Sequence, residues 1–233
     1  NNVFHHVKNI YADATYYFLT VDLGPGKRLG NVNSTTLPAN NTVTTFNDFQ
    51  FYEKDGINLI KSGKSWYDNQ YFDVTTTRDY TNFNFPNINS SVPAVLTVDV
   101  ASRCTSGNSS FEISANGQQV LNISIAPVTT IFLDTYANAK TASAPFTTSN
   151  PLVDVRLFYN KADISAIGYL NYLEINATRN LIMAGSQMSF RSISSIGKDK
   201  ISDFVLTSGS QNVTVWDISD PGNISIIHGA QNG

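Results

Sequence analysis

The chain has 233 residues, a formal net charge of −3, 14% charged residues and 12% aromatic ones. That length can bury one large β domain or two small ones. The absence of any Lys/Arg-rich run removes the electrostatic footprint of a nucleic-acid binder, no apolar run approaches the ~20 residues of a membrane-spanning helix, and a lone cysteine, Cys104, excludes an intrachain disulfide framework and a Cys-rich zinc site.

From the amino terminus, no basic-then-apolar segment marks a signal peptide, and the ends, Asn1-Asn2-Val3 and Asn232-Gly233, read as those of a processed or excised piece. His5 and His6 are adjacent. In an extended strand their side chains point to opposite faces and cannot easily share one metal ion, so a loose amino terminus is the plainer reading. Apolar alternation then predicts strands at Tyr16–Val21, Phe49–Tyr52, Ala94–Val100, Phe111–Ala115, Val120–Ile125, Ile131–Leu133, Val153–Tyr159, Tyr169–Ile175, Met188–Phe190, Phe204–Leu206 and Val213–Ile218. Asn and Ser between them compete for backbone hydrogen bonds and favour turns, whereas Thr, Tyr and Phe suit a pleated sheet. Asn-x-Ser/Thr triplets at Asn33, Asn122 and Asn176 arise by chance in such a composition.

Two segments allow a finer reading. Asn116-Gly117 is a strong hairpin signal. A strict two-residue turn would set Phe111 opposite Asn122 and mix polar with apolar residues on both faces, so one added residue, in a longer loop or a glycine bulge near Gly117, is expected to bring Phe111 opposite Ile123 and Ile113 opposite Leu121. In Val153–Tyr159 the residues Val153, Val155, Leu157 and Tyr159 share one face and Asp154 and Arg156 the other, the pattern of a half-buried strand. Ile164–Ile175 could be misread as an amphipathic helix, but Gly168 weakens that reading.

The stretch Tyr52–Phe72 carries Tyr52, Glu53, Asp55, Asn58, Leu59, Ser62, Gly63, Trp66 and Phe72, with Tyr67 in an aromatic position. On these residues it resembles the region ahead of the peptidase domain in type IX secretion sortases, the PorU proteins, relatives of the gingipain cysteine peptidases. Gly168–Asn176 and Val215–Pro221 resemble downstream pieces in the same order, and Tyr16–Leu19 with Gly26-Lys27-Arg28 fits with less specificity. Asp68-Asn69-Gln70 departs from the Gly-Glu pair usual in sortases. The resemblance implies a noncatalytic β region at the outer cell surface, acting as scaffold or docking region beside a following α/β peptidase domain and outer-membrane secretion components. The parent enzyme would remove carboxy-terminal sorting signals from secreted cargo and help attach the cargo to lipopolysaccharide.

Chemistry within the chain itself is sparse. A nucleophilic Cys104 would need a base and an oxyanion pocket, yet His5, His6 and His228 sit near the termini, and His228-Gly229 follows the cysteine where the gingipain relatives place their Gly-rich His motif before it. No Gly-x-Ser-x-Gly elbow supports a serine triad. No catalytic residue and no cofactor are therefore assigned. Asp68-Asn69 and Asp217–Asp220 are oxygen-rich enough for calcium, but solvated turns are the plainer reading without an EF-hand pattern. Trp66, Tyr67 and Tyr71 form the candidate ligand or partner contact, since sugars and peptides stack on exposed rings. Closing the end of a core is the blander use of the same aromatics, with Phe72. Trp216 reads likewise, sharing a face with Thr214 and Ile218.

The expected fold is all-β: an antiparallel, jelly-roll-like sandwich over residues 65–180, flanked by β segments 1–64 and 181–233 that form a second small layer. No repeat period suggests a propeller or solenoid. The alternative function is a carbohydrate-binding or adhesion sandwich.

Overall fold

The computed structural model describes residues 4–9, 11–12, 14–21, 23–61, 65–131, 133–209 and 212–229. The chain is almost all β, with one 3₁₀ turn, Ile193–Ser195, as its helical element among these residues. No helix among them is long and apolar enough to cross a membrane. It divides into two units, Asn1–Lys8 with Thr45–Ile193, and Asn9–Thr44 with Ser194–Gly233.

The second unit contains β1 (Gly30–Asn33), β2 (Asn41–Val43), β11 (Ser202–Phe204), β12 (Val215–Asp217) and β13 (Ser225–His228). β1 and β12 flank β13, parallel and antiparallel respectively, while β11 runs parallel to β2. Trp216 lies opposite Ile226 and is 54% exposed, as is Ile218 just past the strand, so solvent reaches both and neither lies in a core. The apolar Tyr16–Leu19 run is exposed and outside any strand: alternation marks a segment able to pair, but does not supply a neighbour.

The first unit is an antiparallel β-sandwich. One sheet has the order β3 (Thr45–Glu53), β10 (Ile167–Asn180), β5 (Ala94–Arg103), β8 (Asn138–Phe146); the other β4 (Thr77–Asn84), β9 (Leu152–Asn160), β6 (Ser109–Ala115), β7 (Gln118–Ile125). Their inner faces share a core that includes Leu96, Val98, Val100, Leu170, Leu173 and Ile175 from the first sheet and Phe111, Ile113, Ile123, Val155, Leu157 and Tyr159 from the second. The sandwich extends ahead of residue 65, because β3 supplies an edge of its first sheet.

Strand β9 alternates as its sequence requires, with Val153, Val155, Leu157 and Tyr159 buried and the residues between them exposed. The β6–β7 register places Phe111 opposite Ile123 and Ile113 opposite Leu121. The turn itself is tight: Asn116 and Gly117 have φ of +48° and +81°, and Ala115 faces Gln118. The extra residue sits inside β7, where pairing steps from Leu121 to Gln119 and leaves Val120 over. A two-residue turn with left-handed torsions fits the strand twist, so the irregularity moves into the ladder as a bulge.

Strand β10 has a similar bulge. Leu170 pairs with Val100 and Tyr172 with Asp99, leaving Asn171 unmatched. The insertion resets the alternation, so that Leu170 and Leu173 both enter the core while Tyr169, Tyr172 and Glu174 all face outward. Ile131–Leu133 and Met188–Phe190 do not form strands among the described residues. β4 and β8 are edge strands that the apolar pattern leaves out: β4 is polar and bulged between Tyr80 and Phe83, and β8 is built of small residues with Pro145, which an edge tolerates.

Candidate functional site

The sequence segments that carry the sortase resemblance in the first unit meet at one edge of the sandwich. β3 pairs with β10 from Thr45 opposite Asn180 to Glu53 opposite Tyr172, then leaves the edge. The chain returns at Tyr67, whose amide and carbonyl bond to Ile57, and occupies the vacated edge. The Asp68 amide donates to Leu170 at 2.8 Å, Phe72 to Gly168 at 2.7 Å, and Gly168 back to Phe72 at 2.9 Å. Backbone groups of β10 that the end of β3 would leave open are thereby satisfied. Ser62 and Gly63 of the same motif lie outside the described residues.

A buried polar pair fixes this clasp. Asp68 is fully buried and accepts from the Tyr52 hydroxyl at 2.6 Å and from the Gln70 amide at 2.9 Å. Burial, and then the bond to Asp68, push the Tyr52 phenol well above the usual tyrosine range. Burial also raises the Tyr80 phenol, with the charge of Asp68 and neighbouring Tyr52 adding to it. Arg78 donates to the Tyr71 carbonyl at 2.9 Å and lies 5.6 Å from the centre of the Phe72 ring. The residues that depart from the sortase pattern thus sit at the middle of the clasp, with Asp68 as its buried acceptor.

Trp66, Tyr67 and Tyr71 occupy different environments. Tyr67 is buried on the outer face of the first sheet in a small cluster with Ala101 and Tyr169. Tyr71 is 44% exposed and Trp66 is half-buried. The Tyr67 and Tyr71 rings lie 5.9 and 6.1 Å from that of Tyr169. Phe72 turns the other way and packs edge-on against Phe111 in the main core, 5.2 Å between centroids.

Cys104 is buried and donates to Asp163 Oδ2 at 3.0 Å; that bond, ahead of those from Ser165, holds the Asp163 carboxyl down at about 2. The His228 ring bonds to Asn31 Oδ1 at 3.0 Å. Asp217 and Asp220 accept from the amides of Ser219 and Gly222, as turn-forming carboxylates do. Among the described residues, no group of three or more His, Cys, Asp and Glu side chains is arranged to hold a metal ion.

His5 and His6 depart from the loose terminus expected of them. Residues 4–9 are not in a strand, and both rings reach one carboxylate: His5 Nδ1 lies 2.8 Å from Glu174 Oε2, and His6 Nδ1 2.5 Å from Glu174 Oε1. His6 Nε2 also lies 2.8 Å from Glu53 Oε2. The signal in the sequence was the three-residue step from Leu170 to Leu173, which marks the bulge that turns Glu174 outward.

No protein-family model matches this sequence, and no curated protein matches it. Among solved structures, dimeric latent PorU from Porphyromonas gingivalis is similar over 88% of this chain and 20% of that one, with a TM-score of 0.72 and 16% identity. The chain therefore has the fold of a region of that protein and spans about a fifth of its length. A CBM36 carbohydrate-binding module in complex with calcium and xylotriose, and the CBM36-1 domain of a multidomain xylanase from the hindgut metagenome of Trinervitermes trinervoides, each match over 42% of this chain. They cover 71% and 68% of their own lengths, at 15% and 11% identity, with TM-scores of 0.30 and 0.31, too low to bear on function.

Proposed function

We propose that this chain is a noncatalytic β region of a sortase-like protein of the gingipain peptidase family, serving as the scaffold on which a peptidase domain and secretion partners are arranged at the outer cell surface. The observation that carries this reading is the fold shared with PorU over 88% of the chain. The clasp adds to it, since segments picked out by resemblance alone are hydrogen-bonded to one another. The strand order β3-β10-β5-β8 facing β4-β9-β6-β7 supports reading the sandwich as a jelly roll.

In this role the parent protein would cleave carboxy-terminal sorting signals from secreted cargo, and this chain would position and not cleave. The Cys104 thiol, committed to Asp163, suits a structural use. Tyr71 and Trp66 are the ring contacts we assign to a partner domain, and Tyr67, 7% exposed, serves packing. The test is incubation of the purified chain with a sorting-signal peptide, together with deletion of the gene in its own cell. Intact peptide and accumulation of unprocessed cargo are expected. Hydrolysis that vanishes on Cys104→Ala, or normal cargo processing after deletion, would overturn the reading, and binding on a glycan array that is lost in Tyr71→Ala would replace it with a lectin-like one.

A further inference from the structure

We propose that Phe4–Lys8 is a proton-controlled strap, held on the outer face of β3 and β10 by an imidazolium at His6 and released from it when that ring loses a proton. The Glu174 side chain is 1% exposed, and burying a carboxylate is unfavourable unless it is paired and hydrogen-bonded. Its partners come from the strap: His5 Nδ1, His6 Nδ1 and the His6 amide, the last at 2.8 Å.

The protonation state follows from donor counting. Carboxylate oxygens only accept, and a neutral imidazole has one N–H donor and one acceptor nitrogen. His6 places both ring nitrogens on carboxylates, Nδ1 on Glu174 of β10 and Nε2 on Glu53 of β3. With Glu53 and Glu174 both ionised, both contacts are hydrogen bonds only if the ring is the imidazolium. The ring is enclosed, stacked at 4.3 Å on Phe51 and edge-on at 4.9 Å to Tyr172.

The rest of the strap is pinned by side chains as well. Asn176 exchanges hydrogen bonds with the Phe4 backbone at 2.7 and 3.0 Å, Arg191 lies 4.3 Å from the centre of the Phe4 ring, and Lys8 pairs with Asp55 at 2.7 Å. The groups facing His6 are therefore Glu174 and Tyr172 on β10, Glu53 on β3, and His5 beside it, with Lys8, Asp55 and Arg191 farther along the strap. As pH rises, loss of one ring proton turns a donor into a lone pair aimed at a carboxylate and removes the countercharge of Glu53 and Glu174. Deprotonation of His5 acts in the same direction. As pH falls far enough to protonate the carboxylates, the pairing is lost from the other side. Docking that takes up the second ring proton is strongest in acidic solution and weakens as pH rises, which gives the sign of the control. Departure of the strap uncovers an outward strip of Phe49, Phe51 and Tyr172 around Glu174.

The test joins two readouts on the unaltered chain: ring ¹⁵N shifts of His6, and amide exchange of residues 4–8 corrected for intrinsic rates, with β5 amides as internal reference. The expected result is a doubly protonated His6 ring at about pH 6, and strap protection that falls about tenfold or more by about pH 8.5 while β5 holds. In His6→Gln the protection should no longer change over that range. A neutral ring in the docked strap, protection that stays constant with pH, or the same pH-dependent loss in His6→Gln would each overturn the proposal.

Discussion

Phe72 and Gly168 exchange both of their backbone hydrogen bonds, at 2.7 and 2.9 Å, and the glycine leaves no room for a side chain where they meet. A Cβ at Gly168 would lie 2.6 Å from Phe111 Cζ and 3.0 Å from Tyr159 Cδ2, and these two buried rings already pack with centroids 4.7 Å apart. Glycine inside a strand here answers to close approach. Gly168→Ala should lose about 1–3 kcal/mol by overpacking. Urea unfolding measures it, as a lower midpoint at unchanged slope.

Tyr52→Phe tests the clasp from the other strand. The substitution keeps the ring and removes the hydroxyl that donates to buried Asp68, leaving that carboxylate with the Gln70 amide. A loss of about 1–3 kcal/mol is expected from an acceptor left short of its partner. A variant as stable as the parent would show that Asp68 does not depend on Tyr52.

At the acid end, Asp163 reports on Cys104. Its carboxyl is held at about 2, first by the Cys104 thiol and then by Ser165, so its folded value lies below its unfolded one. Stability from this bond is present above the ordinary carboxylate range and is lost as pH falls through about 2. In Cys104→Val the Asp163 carboxyl should titrate at higher pH in a ¹³C-detected titration. An unmoved midpoint would assign the depression to Ser165.

At the alkaline end the sign reverses. Burial raises the phenols of Tyr52, Tyr80 and Tyr169, which favours their protonated forms in the folded chain. Their contribution is complete below about pH 10, where a free tyrosine ionises, and falls as pH rises above it. Subtracting the ultraviolet titration of each Tyr→Phe variant from that of the parent isolates these phenolates from those of exposed Tyr11, Tyr16 and Tyr17. The difference signal should appear only together with unfolding, and a difference signal preceding the loss of structure would contradict their burial.

The sandwich was legible where one face is apolar and the other polar. β9 alternates because its Val, Leu and Tyr side chains face the opposing sheet, and the Phe111–Ile123 register followed from refusing to bury Asn122. The place of the extra residue was not legible. It lies at Val120 and not at the turn, because two left-handed residues already close the hairpin. Edge strands β4 and β8 were hidden by polar and small residues that need satisfy only one neighbour. At the candidate site, Tyr52–Phe72 and Gly168–Asn176 stood out as separate segments, but their pairing is a long-range hydrogen-bond pattern that neither contains. For His5, His6 and Glu174 the Leu170–Leu173 step marks the bulge, but their meeting was hidden because the histidines lie on a segment outside the sheet that no local pattern places.

The measurement that bears most directly on the scaffold role is the native reading frame beyond the Gly233 codon. The expected result is an α/β segment in which a Gly-rich His motif precedes a cysteine. A stop codon at that point would contradict it and leave a free-standing β module, with glycan and protein binding as its first assays.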